Sequence, residues 1–576
     1  MEHHLTTYIT HDTLISALGF GTQENLEAIR SYHSGITLQT DKRIADTPLL
    51  AATLSQERLQ QQAEAIGVSG YPRMEQLFIL TINELIRQSG QTLEDKTCGL
   101  ILSTTKGNID LLARHTGHPD EAVFLWKMAE NIAGYFHAEK RVHLISNACI
   151  SGVSALIVGK RMIENGIYRR VIVAGGDLLS HFITSGFGSF RSLSSRPCRP
   201  YDSSRDGLNL GEACGAVLLS TEKTPGSILL SGGAVSNDAN HISGPSRTGD
   251  GLYFAIRQAM QEAGTAPQDI SFVNAHGTAT VYNDEMESKA LTLAHLEQIP
   301  VHSLKPYFGH TLGASGIIES IICMHELKQG ILFGTPGYET PGVPMPIPVY
   351  ATHQHIPMKH CVKTASGFGG CNAAIVLSLP EYVPFKDEDN TLPEIRCTRE
   401  VRIENSSVFL DNELIFHSEE PDFGTFIRET YKKTGGNNLK FYKMDDLCKL
   451  GYVAAEYLLE GKTFAPLEMG MLLANAASSL HTDIRHQQLI DREGDQAASP
   501  AVFVYTLPNV VSGEICIRHK IQGENTFFIT EAYQPEKLER YARIVMQKGK
   551  LNYCIIGWCE LWKNTYKAVF KLIEKQ

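Results

Sequence analysis

Short, nearly unbroken apolar runs recur along the first two-thirds of the chain, and most are followed by stretches with helical spacing. CGLILS (98–103), RVHLIS (141–146), RRVIVAGGD (169–177) and CGAVLLS (214–220) read as buried strands. VSALIVGKRMI (153–163) reads as a helix between the second and third of them. The alternation resumes with SILLSGGAV (227–235), a helix over 252–264, DISFVNAHGT (269–278), a helix over 284–294 and PVHSLKPYFGH (300–310). A glycine-spaced helix over 313–329 and the run CVKTASGFGGCNAAIVLSL (361–379) close it. Nearer the start, 13–36 reads as a loop and an amphipathic helix ending at Gly35, and 49–89 as mostly helix. Buried strands alternating with helices predict a layered α/β fold.

Two such series occupy 1–225 and 226–380. PEYVPFKDEDNTLPEIRCTRE (380–400) is rich in proline and charge and reads as a linker over 381–400. The remainder, 401–576, echoes the beginning. RMEQL (73–77) returns as KMDDL (443–447) and CGLIL (98–102) as MGMLL (469–473), at offsets of 370 and 371 residues. RRVIVAGGDL (169–178) returns as LNYCIIGWCEL (551–561), and NACISG (147–152) as NVVSG (509–513) with one residue dropped. The order predicts a duplicated half-domain. In it Val510 stands near the position of Cys149, so the copy is expected to be catalytically silent.

Composition narrows the function classes. At 576 residues the chain exceeds one ordinary core, and 43% hydrophobic with 20% charged residues is that of a globular protein. A net charge of −11 argues against a general nucleic-acid surface while leaving room for a local basic patch. The twelve cysteines show neither CxxC pairs nor zinc-type Cys/His spacing, so no metal is expected and the thiols read as reduced. MEHHLTTYITHDTL lacks a basic start with an apolar core, and no run approaches 18 apolar residues. A cytoplasmic chain without a membrane span is the expectation.

Candidate chemistry sits where strands end. Cys149 follows the 141–146 strand and precedes a helix, where unsatisfied N–H groups and the helix dipole favour thiolate and lower the cysteine pKa. NAHGTATVYND (274–284) puts His276 at a strand end. LKPYFGHTLGASG (304–316) puts Lys305 and His310 before a helix whose small residues permit close packing, and ASGFGGCNAA (365–374) is a glycine-rich turn between strands.

In this order and at these separations the motifs resemble a β-ketoacyl-acyl carrier protein synthase of the thiolase superfamily. The likeness is to the elongating class with a Cys-His-His triad, here Cys149, His276 and His310. RPYDSSRDGLNLGEACGAVLL (199–219) and SNDANHISGPS (236–246) are similar to further family segments, and the likeness covers about the first 380 residues. A second histidine separates the chain from thiolases that pair Cys-His with another cysteine. It also separates it from chain-initiating synthases, which carry asparagine at the place of His310.

The resemblance implies a thiolase-like layered α-β-α-β-α fold, here with an extra C-terminal α/β half-domain. It implies decarboxylative Claisen condensation of an acyl chain with malonyl-acyl carrier protein, in fatty-acid or specialised polyketide or aryl-polyene synthesis. The alternatives are a non-catalytic chain-length-factor-like partner and an acyl-thioester hydrolase. Carried over residue by residue, Cys149 is the nucleophile, and His276 and His310 serve condensation rather than acyl loading. Lys305 and Glu319 organise the histidines. The backbone N–H groups of Cys149 and Phe368 form the oxyanion hole, with Phe368 also the gate, and Thr278 and Thr280 hold the phosphopantetheine arm. No cofactor is tightly bound, since substrates ride on the 4′-phosphopantetheine of an acyl carrier protein. That acidic partner calls for a basic patch, with Arg191, Arg196, Arg199 and Arg205 as candidates. A homodimer joined through sheet edges is expected, and a chain-length-factor-like subunit is a further candidate partner. Two departures stand out. The segment between Arg191 and Arg199 is trimmed, and TASGFGG replaces an Asn-Ser-Phe run before the glycines.

Overall fold

Three successive sets of five strands share one strand order in the computed structural model, which describes residues 5–114, 121–138, 141–383, 391–548 and 551–576. The first set is Tyr8–Ser16, Cys98–Ser103, Val142–Ile145, Arg170–Asp177 and Ala213–Ser220. Counted along the chain, its third strand lies at one edge, followed across the sheet by the second, fourth, fifth and first. Strands two, three and four run parallel, and the last two alternate. The second set, Ile228–Asn237, Ile270–Asn274, Val301–His302, His360–Gly367 and Cys371–Ser378, repeats this arrangement. So does the third, Ile395–Glu404, Met469–Asn475, Asn525–Ile529, Tyr553–Trp562 and Thr565–Lys575.

The first two sheets enclose the helices Ser151–Glu164 and Ser315–Gln329, and the helices Arg73–Ser89 and Asp250–Ala263 cover their outer faces. This is the expected five-layer stack. Every residue of Ser151–Glu164 is buried, which explains its apolar pattern on all sides. Glycines set the spacing of the two inner helices, because a Cβ on Gly152 would stand 2.8 Å from the Gly313 carbonyl oxygen. At the far end Lys160 is held between Glu164 and Glu262, each at 2.7 Å.

The third sheet joins the first edge to edge. Asn525–Ile529 runs antiparallel to Val142–Ile145, with Phe528 opposite Ile145 and Ile529 opposite Leu144. Both isoleucines end their strands, so the pairing is self-complementary, as across a two-fold axis. The edge through which the resemblance expects two copies to pair is therefore taken by the chain's own strand, its backbone groups already satisfied. Buried ion pairs flank the seam. Arg161 donates to both carboxylate oxygens of Glu524 at 2.5 and 2.9 Å, and Lys106 Nζ lies 2.7 Å from Asp483 Oδ1. Removing one partner of such a pair strands the other charge, at a cost of about 3–5 kcal/mol.

Several expectations change. Residues 13–16 belong to the strand Tyr8–Ser16 rather than to a loop, and the following helix, Thr22–Arg30, stops short of Gly35. Leu49–Ala52 is a strand paired with Ile36–Gln39. The stretch read as a linker contains the start of Ile395–Glu404, which pairs with Thr565–Lys575, while 384–390 lie outside the described residues. Its alternation of charged and apolar residues suits an edge region wetted on one side.

The echoes of CGLIL and RRVIVAGGDL fall on corresponding strands, the second and fourth of their sets. That of NACISG does not. Val510–His519 precedes the third strand of its sheet, whereas Ser151–Glu164 follows the third strand of the first. The counterpart of Cys149, four residues past Ile145, is Tyr533, four past Ile529. Both motifs are small-residue turns entering a helix, and local sequence does not say which strand they follow. The helix after Tyr533, Pro535–Lys548, buries Leu538, Tyr541, Ile544 and Val545 and exposes Glu536, Lys537, Arg540 and Arg543. Among the described residues no single helix is long and apolar enough to cross a membrane.

Candidate active site

The nucleophile candidate is held by a strained turn. Ala148 has φ 49°, a left-handed conformation costing an alanine about 1 kcal/mol, and it bends the chain from the strand into the helix. The Ser151 hydroxyl braces the bend, donating to the Ala148 carbonyl at 2.6 Å and accepting from Asn147 N at 2.8 Å. Asn147 Nδ2 reaches across the seam to the Asn525 carbonyl at 3.1 Å. Cys149 is thereby fixed by both sheets.

Opposite it, His310 Nε2 lies 3.2 Å from Cys149 Sγ, and Nδ1 lies 3.3 Å from Ser315 Oγ. The His310 backbone N donates to the Asn209 carbonyl at 2.7 Å. Beneath this loop the buried Asp177 carboxylate accepts from Thr104 Oγ1 and Gly313 N at 2.7 Å and from Thr105 N at 3.0 Å, and burial pushes its pKa up to about 6. His276 follows Ile270–Asn274. Its backbone N and that of Gly277 donate to Glu287 at 2.6 and 2.7 Å, and Tyr201 and Asn283 donate to the same carboxylate. The His276 and His310 rings stand 5.1 Å apart, edge to face.

Lys305 and Glu319 pair at 2.9 Å as expected, and a second ammonium, Lys363, lies 2.5 Å from the other Glu319 oxygen. All three side chains are buried. Burial alone would raise the Glu319 pKa, yet the two ammonium groups hold it below the ordinary carboxylate value. Burial, with Lys305 and Lys363 behind it, keeps both histidines well below the usual imidazole value. The thiol departs from the sequence expectation. Burial pushes Cys149 up to about 12, with only partial relief from Lys305. Helix-end stabilisation is outweighed by loss of water around the sulfur, so the thiol is neutral beside a neutral imidazole.

Cys149, His276, His310, Thr278, Thr280 and Phe368 line one cavity of about 350 Å³. The threonine hydroxyls lie 2.8 Å apart, and Tyr282, 76% exposed, marks the mouth. Phe187, Phe190 and Leu208 form its apolar wall. Phe368 belongs to a turn in which Gly369 and Gly370 take φ 87° and 70°, values that favour glycine. The third sheet's helices clamp this turn and back the wall. Asn509 Nδ2 donates to the Phe368 carbonyl at 2.8 Å, and the Phe503 ring lies 5.6 Å from Phe187 and 6.3 Å from Phe190.

Of the arginine candidates only Arg205 is buried, where it bonds the Asp202 and Gly342 carbonyls; Arg196 and Arg191 are exposed and Arg199 is partly so, with Arg196 paired to Asp206 and Arg199 facing Glu339. Sequence reasoning missed Lys363, Glu287, Asp177, Phe503 and Asn509. Lys363 was discoverable as a charge inside the apolar strand CVKTASG. The last two touch the site only through the edge pairing, which local pattern does not reveal.

Comparison with known proteins agrees with this geometry. The family model described as β-ketoacyl synthase, N-terminal domain, matches residues 23–224, and that of the C-terminal domain matches 228–339. Together they span more than half of the chain. A 3-oxoacyl-(acyl-carrier-protein) synthase 2 of Vibrio cholerae is 32% identical over 251 residues, covering 40% of this chain and 61% of the relative. A putative polyketide β-ketoacyl synthase 1 of Streptomyces cyaneus is 30% identical over 270 residues, covering 44% and 64%. The chain thus spans about three-fifths of the length of the curated relatives it matches. Among solved structures, the ketosynthase ApeO in complex with its chain length factor ApeC from Xenorhabdus doucetiae is similar with a TM-score of 0.57 at 25% identity, covering 65% of this chain and 98% of that one. A structure titled PfaC keto synthase–chain length factor is similar in fold at a TM-score of 0.78 and 14% identity, covering 99% of this chain and 78% of that one. A cysteine at a strained strand-to-helix turn, two buried imidazoles around one cavity and both matching domain models lead to one assignment: the chain belongs to the β-ketoacyl synthase family.

Proposed function

We propose that the chain extends a carrier-bound acyl group by decarboxylative Claisen condensation with malonyl-acyl carrier protein. The observation that carries this reading is the 3.2 Å contact of Cys149 Sγ with His310 Nε2, with the His276 ring across the same cavity. In the first step the sulfur attacks the acyl thioester carbonyl while its proton passes to His310. The carrier thiolate leaves, takes up a proton, and the acyl group remains on Cys149. The developing oxyanion would lie between the N–H groups of Cys149 and Phe368. The close approach of the two strand ends supports this pairing, since a Cβ on Gly367 would stand 3.0 Å from Cys149 N. One such donor is worth about 3 kcal/mol of barrier.

In the second step a malonyl group occupies the mouth, its phosphopantetheine arm held by Thr278 and Thr280. Carbon dioxide departs and its bonding electrons form an enolate, whose oxygen accepts hydrogen bonds from the two imidazoles. The enolate carbon attacks the acyl thioester, a carbon–carbon bond forms, and the Cys149 thiolate leaves and recovers its proton. Two imidazoles favour this reading over hydrolysis, which needs only one base. The intact triad opposes a purely non-catalytic role for 1–380.

Residues 401–576 read as a degenerate copy of the first half, with Tyr533 at the nucleophile position. Their role is that of a chain-length-factor-like wall supplied in cis. Phe503 behind Phe187 and Phe190 is the residue that limits the acyl pocket. Such a wall suits specialised polyketide synthesis. The acyl carrier protein is the partner, and Arg191 near the mouth-forming loops is its remaining basic candidate.

Incubation with an acyl-carrier thioester should leave an acyl mass on Cys149 that malonyl-carrier discharges with carbon dioxide release. Cys149→Ala should abolish loading. His276→Ala should load normally yet lose condensation by about 10²–10⁴-fold, and His310→Ala should slow both steps, unlike the condensation-only role that the resemblance implies. Discharge by water alone would sink the proposal in favour of a hydrolase. Because burial pushes the thiol pKa up to about 12, its thiolate fraction should rise tenfold per pH unit, and iodoacetamide alkylation of Cys149 should climb between about pH 7 and 10. A plateau near neutrality would mean a preformed thiolate–imidazolium pair. Phe503→Ala should lengthen the products while leaving acyl loading unchanged, and an unaltered length distribution would remove the third sheet from chain-length control.

A further inference from the structure

On the helix that carries Glu319 and the strand that leads to Lys305, three potential metal ligands converge. His302 ends the short strand Val301–His302, and Cys323 and Glu326 lie one turn apart on Ser315–Gln329. The imidazole, thiol and carboxylate offer donor atoms all within 4.8 Å of one another, and each side chain is at most 1% exposed. His302 Nε2 and Glu326 Oε2 are 3.3 Å apart, close to an edge of a tetrahedron with metal–ligand bonds of about 2.0–2.1 Å.

A second observation points the same way. Glu326 Oε1 accepts from Phe333 N at 2.7 Å, but Oε2, fully buried, has no hydrogen-bond partner, and among the described residues no lysine or arginine pairs with this carboxylate. A buried carboxyl oxygen left without a hydrogen bond is costly. The nearest ammonium groups are committed to Glu319. The Asn274 amide faces the same imidazole nitrogen at 3.2 Å, and its Oδ1 is also unpartnered. A half-turn of that amide would offer the oxygen as a fourth donor.

We infer that His302, Cys323 and Glu326 form a structural site for a divalent zinc-type cation, closed by Asn274. One thiolate, one carboxylate, one neutral imidazole and one amide oxygen neutralise a doubly charged ion, which suits a dry interior. Nitrogen, oxygen and sulfur donors in a four-coordinate site favour zinc over magnesium or calcium. Binding requires the Cys323 thiolate and the Glu326 carboxylate, and the protons that both groups carried leave to solvent. The ion would tie the strand leading to Lys305 to the helix carrying Glu319. Zinc-type sequence spacing does not reveal it, because the ligands come from separate elements.

Metal analysis of the full chain, incubated with zinc and desalted, should return one ion per chain. The cobalt(II)-loaded protein should show a thiolate-to-cobalt charge-transfer band in the near ultraviolet. Cys323→Ser should lose the band and Glu326→Gln the stoichiometric metal, while Cys397→Ser, at an exposed cysteine, should retain both. Metal content far below one per chain with no band in the unaltered protein would overturn the site. So would a band that survives Cys323→Ser or vanishes in Cys397→Ser. Each readout is independent of condensing activity.

Discussion

The antiparallel pairing of Val142–Ile145 with Asn525–Ile529 is the constraint on which the active-site architecture depends. An exposed edge of that length is a liability, and the chain removes it by supplying a matching edge from its own third sheet. The register is self-complementary, so the third sheet stands related to the first as one member of a symmetric pair stands to the other. Once that register is set, the position of everything C-terminal to residue 400 follows. Asn147, two residues before Cys149, is tied to Asn525, Asn509 holds the Phe368 carbonyl, and Phe503 fills the space above Gly186 that any side chain would block. Arg161 with Glu524 and Lys106 with Asp483 keep the seam from sliding, since each charge is buried and satisfied only in this register.

Burial governs the chemistry as much as placement does. Burial favours the uncharged forms of the sulfur and both imidazoles in the free protein, and a lysine–glutamate–lysine cluster lies close to the rings. That arrangement gives His310 a lone pair or an N–H to present to the sulfur or to an oxyanion, without the solvation penalty of an imidazolium. Ala148 stores strain at the turn that presents the buried thiol to the cavity, and the surrounding hydrogen bonds maintain it.

Much of this was legible in the sequence where a residue acts through its own neighbours. The apolar runs located the strands of the first two sheets except Tyr8–Ser16, and three motifs at strand ends located Cys149, His276 and His310. The pattern of 153–163 announced a helix, and the structure shows that it is covered on every side. What stayed hidden depended on long-range pairing. NVVSG resembles NACISG as a string, but strand order gives the corresponding place to Tyr533. The ionisation of Cys149 ran opposite to the helix-end argument, because the depth of the sulfur is a property of three packed sheets and not of the elbow. Lys363 stands out locally as a charge inside an apolar strand, but its partner, Glu319, is 44 positions away and no local pattern names it.

If the third sheet completes the pocket in cis, one chain is the functional unit. Sedimentation of the protein under assay conditions, with condensation rate followed against concentration, tests this most directly. The account predicts active material sedimenting at the 63.6 kDa of a single chain, with one acyl group per chain and a rate per chain independent of concentration. Activity confined to a species of twice that mass, lost on dilution as the species dissociates, would contradict it.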